Sequence, residues 1–291
     1  MSAMSIREFE QGLFEAFPER LADDFDNVGL LLGNADATVE RVAIALDPSL
    51  KALEQAIELG CNVLLTHHPL FLSTKAPTCF VTGDAALRDG HDDISCQQAA
   101  HTLIAAAKAD FALIAMHTNL DFAPVTQSHI PQLLGMDYVE PLVHMGGSGA
   151  GFGQLCEVQG ISAGELAAHC HEVLGAPPRL WGDPNRVLSR VAYGQGAAGD
   201  LIVPALRADC DCVVCGELRY HTATAALQAG LTLIELGHDV SERPLIQVLE
   251  RAALDLGLER GQVVCLDLEP DWETILMVQD VQEVELDVRD G

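Results

Sequence analysis

Two stretches of the chain repeat one pattern: an apolar strand, a helix and a second apolar strand. In the first, RVAIALDPS reads as a strand over 41–47, LKALEQAIELG as a helix closed by Gly60, and CNVLLTHH as the next strand. In the second, RVAYGQG, AAGDLIVPALRAD and DCVVCGE follow the same order, and LRYHTATAALQAG and LTLIELGH add a further helix and strand. The spacing agrees, because 24 residues separate Val42 from Thr66 and also Val191 from Cys215. These strands are apolar throughout rather than alternating, as in a sheet covered on both faces. Both halves also finish alike, with His117 four residues before Asp121, His238 four residues before Glu242, and a proline soon after each (Pro124, Pro244). One duplication of this length is not a solenoid, which needs several short repeats. The expected fold is α/β, with two similar halves related by pseudo-two-fold symmetry.

Around the repeat, Ile6, Phe9, Leu13, Phe14 and Phe17 have helical spacing that stops at Pro18, and Asp26 to Gly33 reads as turn chemistry feeding a short strand. Residues 75–95, rich in Gly, Asp and Thr, read as an insertion or long surface loop. A helix near 96–109 and a strand over 111–117 follow. The boundaries expected from this are a first half over 1–135, a second over 136–279 and an acidic tail over 280–291.

The formal charge of −27, from 43 acids against 16 bases, repels nucleic-acid backbones and anionic membranes. No window approaches the ~20 apolar residues of a membrane span. The opening MSAMSIREFEQ has no basic region followed by an apolar segment, so the expected compartment is the cytoplasm. Nine cysteines in such a chain read as reduced thiols. Cys210, Cys212 and Cys215 include only one C-x2-C pair in an apolar setting, which fits small core residues better than a zinc knuckle.

In open α/β sheets, functional groups gather at the carboxyl ends of strands. His67 and His68, then His117, then His238 all stand there, and joining the halves would bring them to one cleft with Asp121 and Glu242. Imidazoles mixed with carboxylates suit Zn, Fe, Mn, Co or Ni. Consecutive side chains on a strand point to opposite faces, but Pro69 forces an exit from regular structure where His67 and His68 can serve two neighbouring ions. Ser241 is placed to cap a helix beginning ERPLIQ, with Glu242 in its first turn. His117 reads either as a ligand or as a second-layer group orienting Asp121 or His68. Glu217 and His221, in GELRYH, are candidate acid–base groups lining the cleft, with a cap-and-helix role equally open. His91, His101, His129, His144, His169 and His171 lack a partner motif and read as ordinary polar residues.

Taken together, FDNVGLLLG, ALDPS, LLTHHPLF, MHTNLD, GELRYH and GHDVSERP resemble the NIF-three-like family of dinuclear-metal proteins, also called GTP cyclohydrolase I type 2 homologues. The resemblance spans residues 25 to 244. It implies metal ligands at His67, His68, Asp121, His238 and Glu242, two divalent ions per chain, and a homohexameric ring built as a trimer of dimers. Departures are Phe25 where a Trp is common, Asp239 where a Tyr is common, the long 75–95 segment, the extra acidic tail, and no large central domain. Two functions follow. One is a metal-dependent hydrolase acting on a nucleotide, GTP cyclohydrolase-like, or a related anionic small molecule. The other is a non-enzymatic metal-binding, metal-delivery or scaffold protein. No G-x-x-x-x-G-K-[ST] stretch is present, so phosphate would bind through metals, backbone amides or arginines.

Overall fold

The computed structural model describes residues 3–71, 94–145, 149–266, 268 and 272. In chain order, α1 (Ile6–Ala16) leads to β1 (Gly29–Leu32), β2 (Val42–Ala45), α2 (Leu50–Glu58) and β3 (Val63–Thr66). Next come α3 (Ile94–Lys108), β4 (Ala112–Ala115) and three short helices, α4 (Thr118–Phe122), α5 (Pro124–Gln127) and α6 (His129–Leu133). The second set runs β5 (Asp137–His144), β6 (Gly151–Glu157), α7 (Ala163–Leu174), β7 (Arg179–Trp181), β8 (Arg190–Ala197) and α8 (Ile202–Arg207). It continues with β9 (Cys212–Glu217), α9 (Tyr220–Gln228), β10 (Thr232–Glu235), α10 (His238–Glu242), α11 (Leu245–Asp255) and β11 (Val263–Cys265). The tail at 280–291 and all of 75–95 except its last two residues, which open α3, lie outside the described residues.

Two mixed sheets result, ordered β1-β4-β3-β2-β11 and β5-β6-β8-β9-β10-β7. The first contains four parallel strands, β11-β2-β3-β4, and the second three, β8-β9-β10, with an antiparallel strand (β1 or β7) beside the last of them. The register bears out the repeat: Val42 faces Val63 as Val191 faces Cys212, and Thr66 faces Ala115 as Cys215 faces Glu235. The α/β class is therefore as expected. The outer neighbours differ, since β8 is flanked by antiparallel β6 whereas β2 is flanked by parallel β11. Strand β11 falls within 136–279 yet hydrogen-bonds into the first sheet, so the chain closes by returning to its first half.

Side-chain alternation assigns the faces. Val42, Ile44, Val63 and Leu65 share one core with Val191, Tyr193, Cys212 and Val214, together with residues of α1, α7 and α11. Ala43, Ala45 and Leu64 turn the other way onto α2, and Ala192, Val213 and Cys215 turn onto α8 and α9. Helix α1 is set by its sequence: Ser5 and Glu8 form a reciprocal cap, and Ile6, Phe9 and Leu13 are its buried stripe. Cys210, Cys212 and Cys215 are buried and unpaired; burial pushes the Cys210 and Cys215 thiols up to about 11 and about 12 and the Cys212 thiol well above its ordinary range, which marks them as inert core residues. Among the described residues no helix is long and apolar enough to cross a membrane.

Candidate metal centre

The chain leaving β3 delivers His67 and His68, the turn after β4 delivers His117, α4 delivers Asp121, and α10 delivers His238 and Glu242. Every one of the four imidazoles has its Nδ1 committed to an acceptor. His67 Nδ1 donates to the Met116 carbonyl at 3.1 Å, and His68 Nδ1 to Asp47 at 2.7 Å. His117 Nδ1 donates to Asp26 at 2.9 Å, and His238 Nδ1 to Glu217 at 3.1 Å. Carbonyl and carboxylate oxygens only accept, so the proton lies on Nδ1 and Nε2 is left for the cleft. This anchoring through the outer nitrogen is the usual support for a metal-ligating imidazole.

The inward atoms converge. His67 Nε2 is 3.7 Å from Glu242 Oε1 and 3.8 Å from Asp121 Oδ1, while His68 Nε2 is 3.0 Å from Glu242 Oε2 and His238 Nε2 is 3.3 Å from Glu242 Oε1. Two groups of ligand atoms lie within 4.8 Å of one another: His67, His68 and His117, and His68, His238 and Glu242. His68 belongs to both. His67 Nε2 and Glu242 Oε2 are buried without a hydrogen-bond partner. Glu242 Oε2 and His68 Nε2 nonetheless stand 3.0 Å apart, so both face one point in the cleft. Ligands about 2.1 Å from a shared ion stand roughly 3–4 Å apart, so the donor set fits divalent metal.

Electrostatics point the same way. Glu242 contacts three imidazoles; burial pushes its carboxyl up, but the facing rings outweigh burial and hold it well below the usual range. His68 is opposed by burial but raised to about 10 by Asp47 and Glu242. His238 is raised to about 9, chiefly by Glu242, against burial and with help from Glu217. His67 is also raised, because Asp121 and Glu242 outweigh its complete burial. The pocket thus favours positive charge: a proton when metal-free, a cation when loaded.

The fit extends to the backbone. Gly196 has φ +58°, and a Cβ there would collide with Glu242 Oε1 and press on His238 Nε2 at 3.3 Å. A Cβ on Gly216 would collide with the Gly196 carbonyl and approach Ser241 Oγ to 2.6 Å. Ser241 does not cap a following helix, as its place in the sequence suggested. It lies inside α10, where its hydroxyl donates to the His238 carbonyl and accepts from the Gly196 amide, while Pro244 opens α11.

The His117 carbonyl accepts from the Asp121 amide as α4 starts, but its ring bonds Asp26 rather than the Asp121 carboxylate or His68 and stands among the potential ligands. Asp121 is outside both three-residue groups but reaches His67, and Gln195 holds its Oδ1 at 2.9 Å. Glu217 is tied to His238 as its anchor, and exposed His221 packs edge-on against Tyr220 in neither ligand group. Sequence reading missed the anchors Asp26 and Asp47 and the clamp Gln195. Asp26 is buried and accepts from His117, the Thr118 amide and the Thr118 hydroxyl; burial pushes it up, yet these donors hold it well below the carboxylate range. Asp26 and Asp47 occur in the FDNVG and ALDPS stretches, which was the available signal.

The DUF34/NIF3 (NGG1p interacting factor 3) family pattern matches residues 4–266. A "GTP cyclohydrolase 1 type 2 homolog" of Streptomyces coelicolor is 31% identical over 259 residues, covering 86% of this chain and 85% of the relative. A Staphylococcus aureus hypothetical protein of known crystal structure superposes with a TM-score of 0.81 at 23% identity, covering 94% of this chain and 100% of that one. A Bacillus cereus protein related to NIF3 superposes with a TM-score of 0.80 at 18% identity, covering 95% and 100%. With the match running from α1 to β11 and through every ligand of the cleft, the chain belongs to the DUF34/NIF3 family.

Proposed function

We propose that this chain is a dinuclear divalent-metal hydrolase acting on a nucleotide or a related anionic small molecule, with GTP cyclohydrolase-type chemistry as the specific version to test. The observation that carries the reading is the convergence of three imidazoles, His67, His68 and His238, on the buried carboxylate of Glu242, with His117 grouped beside His67 and His68 and all four rings anchored through Nδ1. His67, with Asp121 and His117 beside it, would hold one ion, and His68 with His238 would hold the other, with the two oxygens of Glu242 standing between the sets. Zn, Fe, Mn, Co or Ni bound there would supply Lewis acidity and offset substrate charge. In a chain of net charge −27, an anionic substrate needs such a local positive centre. Asp26, Asp47, Glu217 and the Met116 carbonyl fix the ring orientations, Gln195 fixes Asp121, and buried His67 and Glu242 form a floor closed to water.

The relatives' name supplies GTP as the first substrate to offer. Purified protein is stripped, reloaded with each metal, and offered a nucleotide panel beside His68→Ala and Glu242→Ala. Turnover that needs metal and is lost in both variants supports the hydrolase. Stoichiometric metal uptake with no turnover across the panel transfers the assignment to metal binding or delivery. Absence of metal above background after reloading removes both. The assembly we propose is a homohexamer, a trimer of dimers, in the cytoplasm, and mass measurement in solution tests the hexamer.

A further inference from the structure

Beside the metal centre, the turn after β9 carries a group that the ligand set does not use. Tyr220 is 66% exposed, its ring centroid 6.1 Å from that of Trp181 and 5.5 Å from that of His221. The Arg179 guanidinium stands 5.9 Å from the Trp181 ring centre, and Arg219, next to Tyr220, is exposed. Beneath them is Glu235, a carboxylate only 8% exposed. It accepts from the Trp181 indole, from the Leu218 amide at 3.0 Å and from Arg179 at 3.4 Å. A buried carboxylate is costly unless donors surround it, and these donors fix the indole and the turn that carries Tyr220. The same turn begins at Glu217, which holds His238. Tyr220 thus opens α9 three residues after Glu217 at the end of β9, and Trp181 lies on β7, which pairs with β10, the strand that leads to His238.

We propose that Tyr220 and Trp181, flanked by Arg179 and Arg219, form a stacking platform for the base of a nucleotide whose anionic part is directed to the metal centre. The inference rests on the nucleotide reading of that centre and names the part of the protein that recognises the base. An exposed aromatic face accepts any nucleobase by stacking, and flanking guanidinium groups add attraction for the base and its phosphates. Charge complementarity selects this occupant: in a chain with 43 acids and 16 Lys and Arg, two arginines border exposed Tyr220 and half-buried Trp181. Rigidity from Glu235 lowers the ordering cost of binding.

Calorimetric titration of the metal-loaded full chain with GTP, and separately with inorganic triphosphate, tests the platform. Tyr220→Ala should weaken GTP roughly tenfold and leave triphosphate unchanged, the size expected for one lost stacking contact. Tyr220→Phe should bind GTP as the parent does, and Arg219→Ala should weaken both ligands. Metal content should be the same in all three. The proposal is overturned if Tyr220→Ala binds GTP normally, or if the parent binds GTP no better than triphosphate. It is also overturned if Tyr220→Ala changes the oligomeric mass, which would assign this face to contact between copies. Tyr220-dependent GTP binding without turnover keeps the platform and removes the hydrolase; turnover with a KM indifferent to Tyr220→Ala does the reverse.

Discussion

Strands β3 and β9 hold matching places in their sheets and end in different chemistry. Thr66 faces Ala115, and Cys215 faces Glu235, so the next residues correspond: His67 with Gly216, and His68 with Glu217. The first pair supplies two imidazoles to the cleft. The second supplies none: Gly216 leaves room for Ser241 and the Gly196 carbonyl, and Glu217 turns aside to hold His238. A further difference follows β10. His117 comes two residues after Ala115, whereas His238 comes three after Glu235, and Gly237 at φ +100° is the added residue. The comparison teaches that a shared cleft needs one crowded wall and one bare wall. Duplicated strands with imidazoles at both ends would fill the space that a bound cation would need.

The largest expected effect comes from Glu242, whose two oxygens face His67, His68 and His238. Glu242→Ala should lose metal from both positions, whereas His238→Ala should empty one and leave about half the parent's content, read by elemental analysis of reloaded protein. Equal loss in the two variants would break the view that Glu242 serves both positions. In the metal-free state, His68 and His238 are raised to about 10 and about 9, so both carry protons at neutral pH that metal must displace. Metal affinity should therefore climb as pH rises from neutrality toward 9. The sign for stability is opposite: a raised histidine pKa stabilises the metal-free fold fully below about 6.5, and that contribution fades as pH passes 9 to 10.

The bare wall can be tested next. Gly216→Ala places a methyl against the Gly196 carbonyl and Ser241 Oγ, and should destabilise the metal-free fold by about 1–3 kcal/mol in a urea titration. Parent-like stability would mean that the glycine is not there for space.

Much of this was legible before any coordinates. The apolar runs fixed the parallel strands because burial on both faces demands them, and the equal 24-residue spacings reappear as equal registers. Ligands were legible because strand ends are where side chains leave the sheet. The anchors were not, because a lone acid in Asp26-Asn27 or Asp47-Pro48 looks like turn chemistry, and its histidine is 91 or 21 residues away. Ser241 misled for a related reason: a serine before an apolar helical run is the usual cap signal, and only the fold brings the Gly196 amide to its hydroxyl. The three residues of β11 carry no signal that says which sheet they join.

The anchors provide a finer comparison. Asp47→Asn and Glu217→Gln each weaken the support of one imidazole at partly exposed positions, and should lower metal affinity about 10-fold to 100-fold in competition with a chromophoric chelator. Asp26→Asn should fall at the upper end of that range. Its carboxylate is buried and accepts from four groups, the His117 ring, the Asn27 and Thr118 amides and the Thr118 hydroxyl, so the amide leaves a donor facing donors. If Glu217→Gln proves the most damaging, the second half depends on its anchor more than the first does.

The smallest effect concerns the turns that feed the parallel strands. Four of them use a left-handed residue: Gly60 at φ +71° and Asp110 at +51° in the first half, Asp209 at +53° and Gly230 at +97° in the second. For a residue with a side chain this conformation costs roughly 1–2 kcal/mol, less for Asp, while glycine loses about 0.5–1 kcal/mol of chain entropy on folding. The two terms nearly cancel, so Asp209→Gly should stabilise by at most about 0.5 kcal/mol. The reverse exchange is not symmetric. A Cβ at Gly60 meets nothing within 4 Å, so Gly60→Ala has no steric penalty and should lose only the backbone preference, about 1 kcal/mol. A larger loss at either site would show that these turns carry side-chain interactions and not merely a backbone angle.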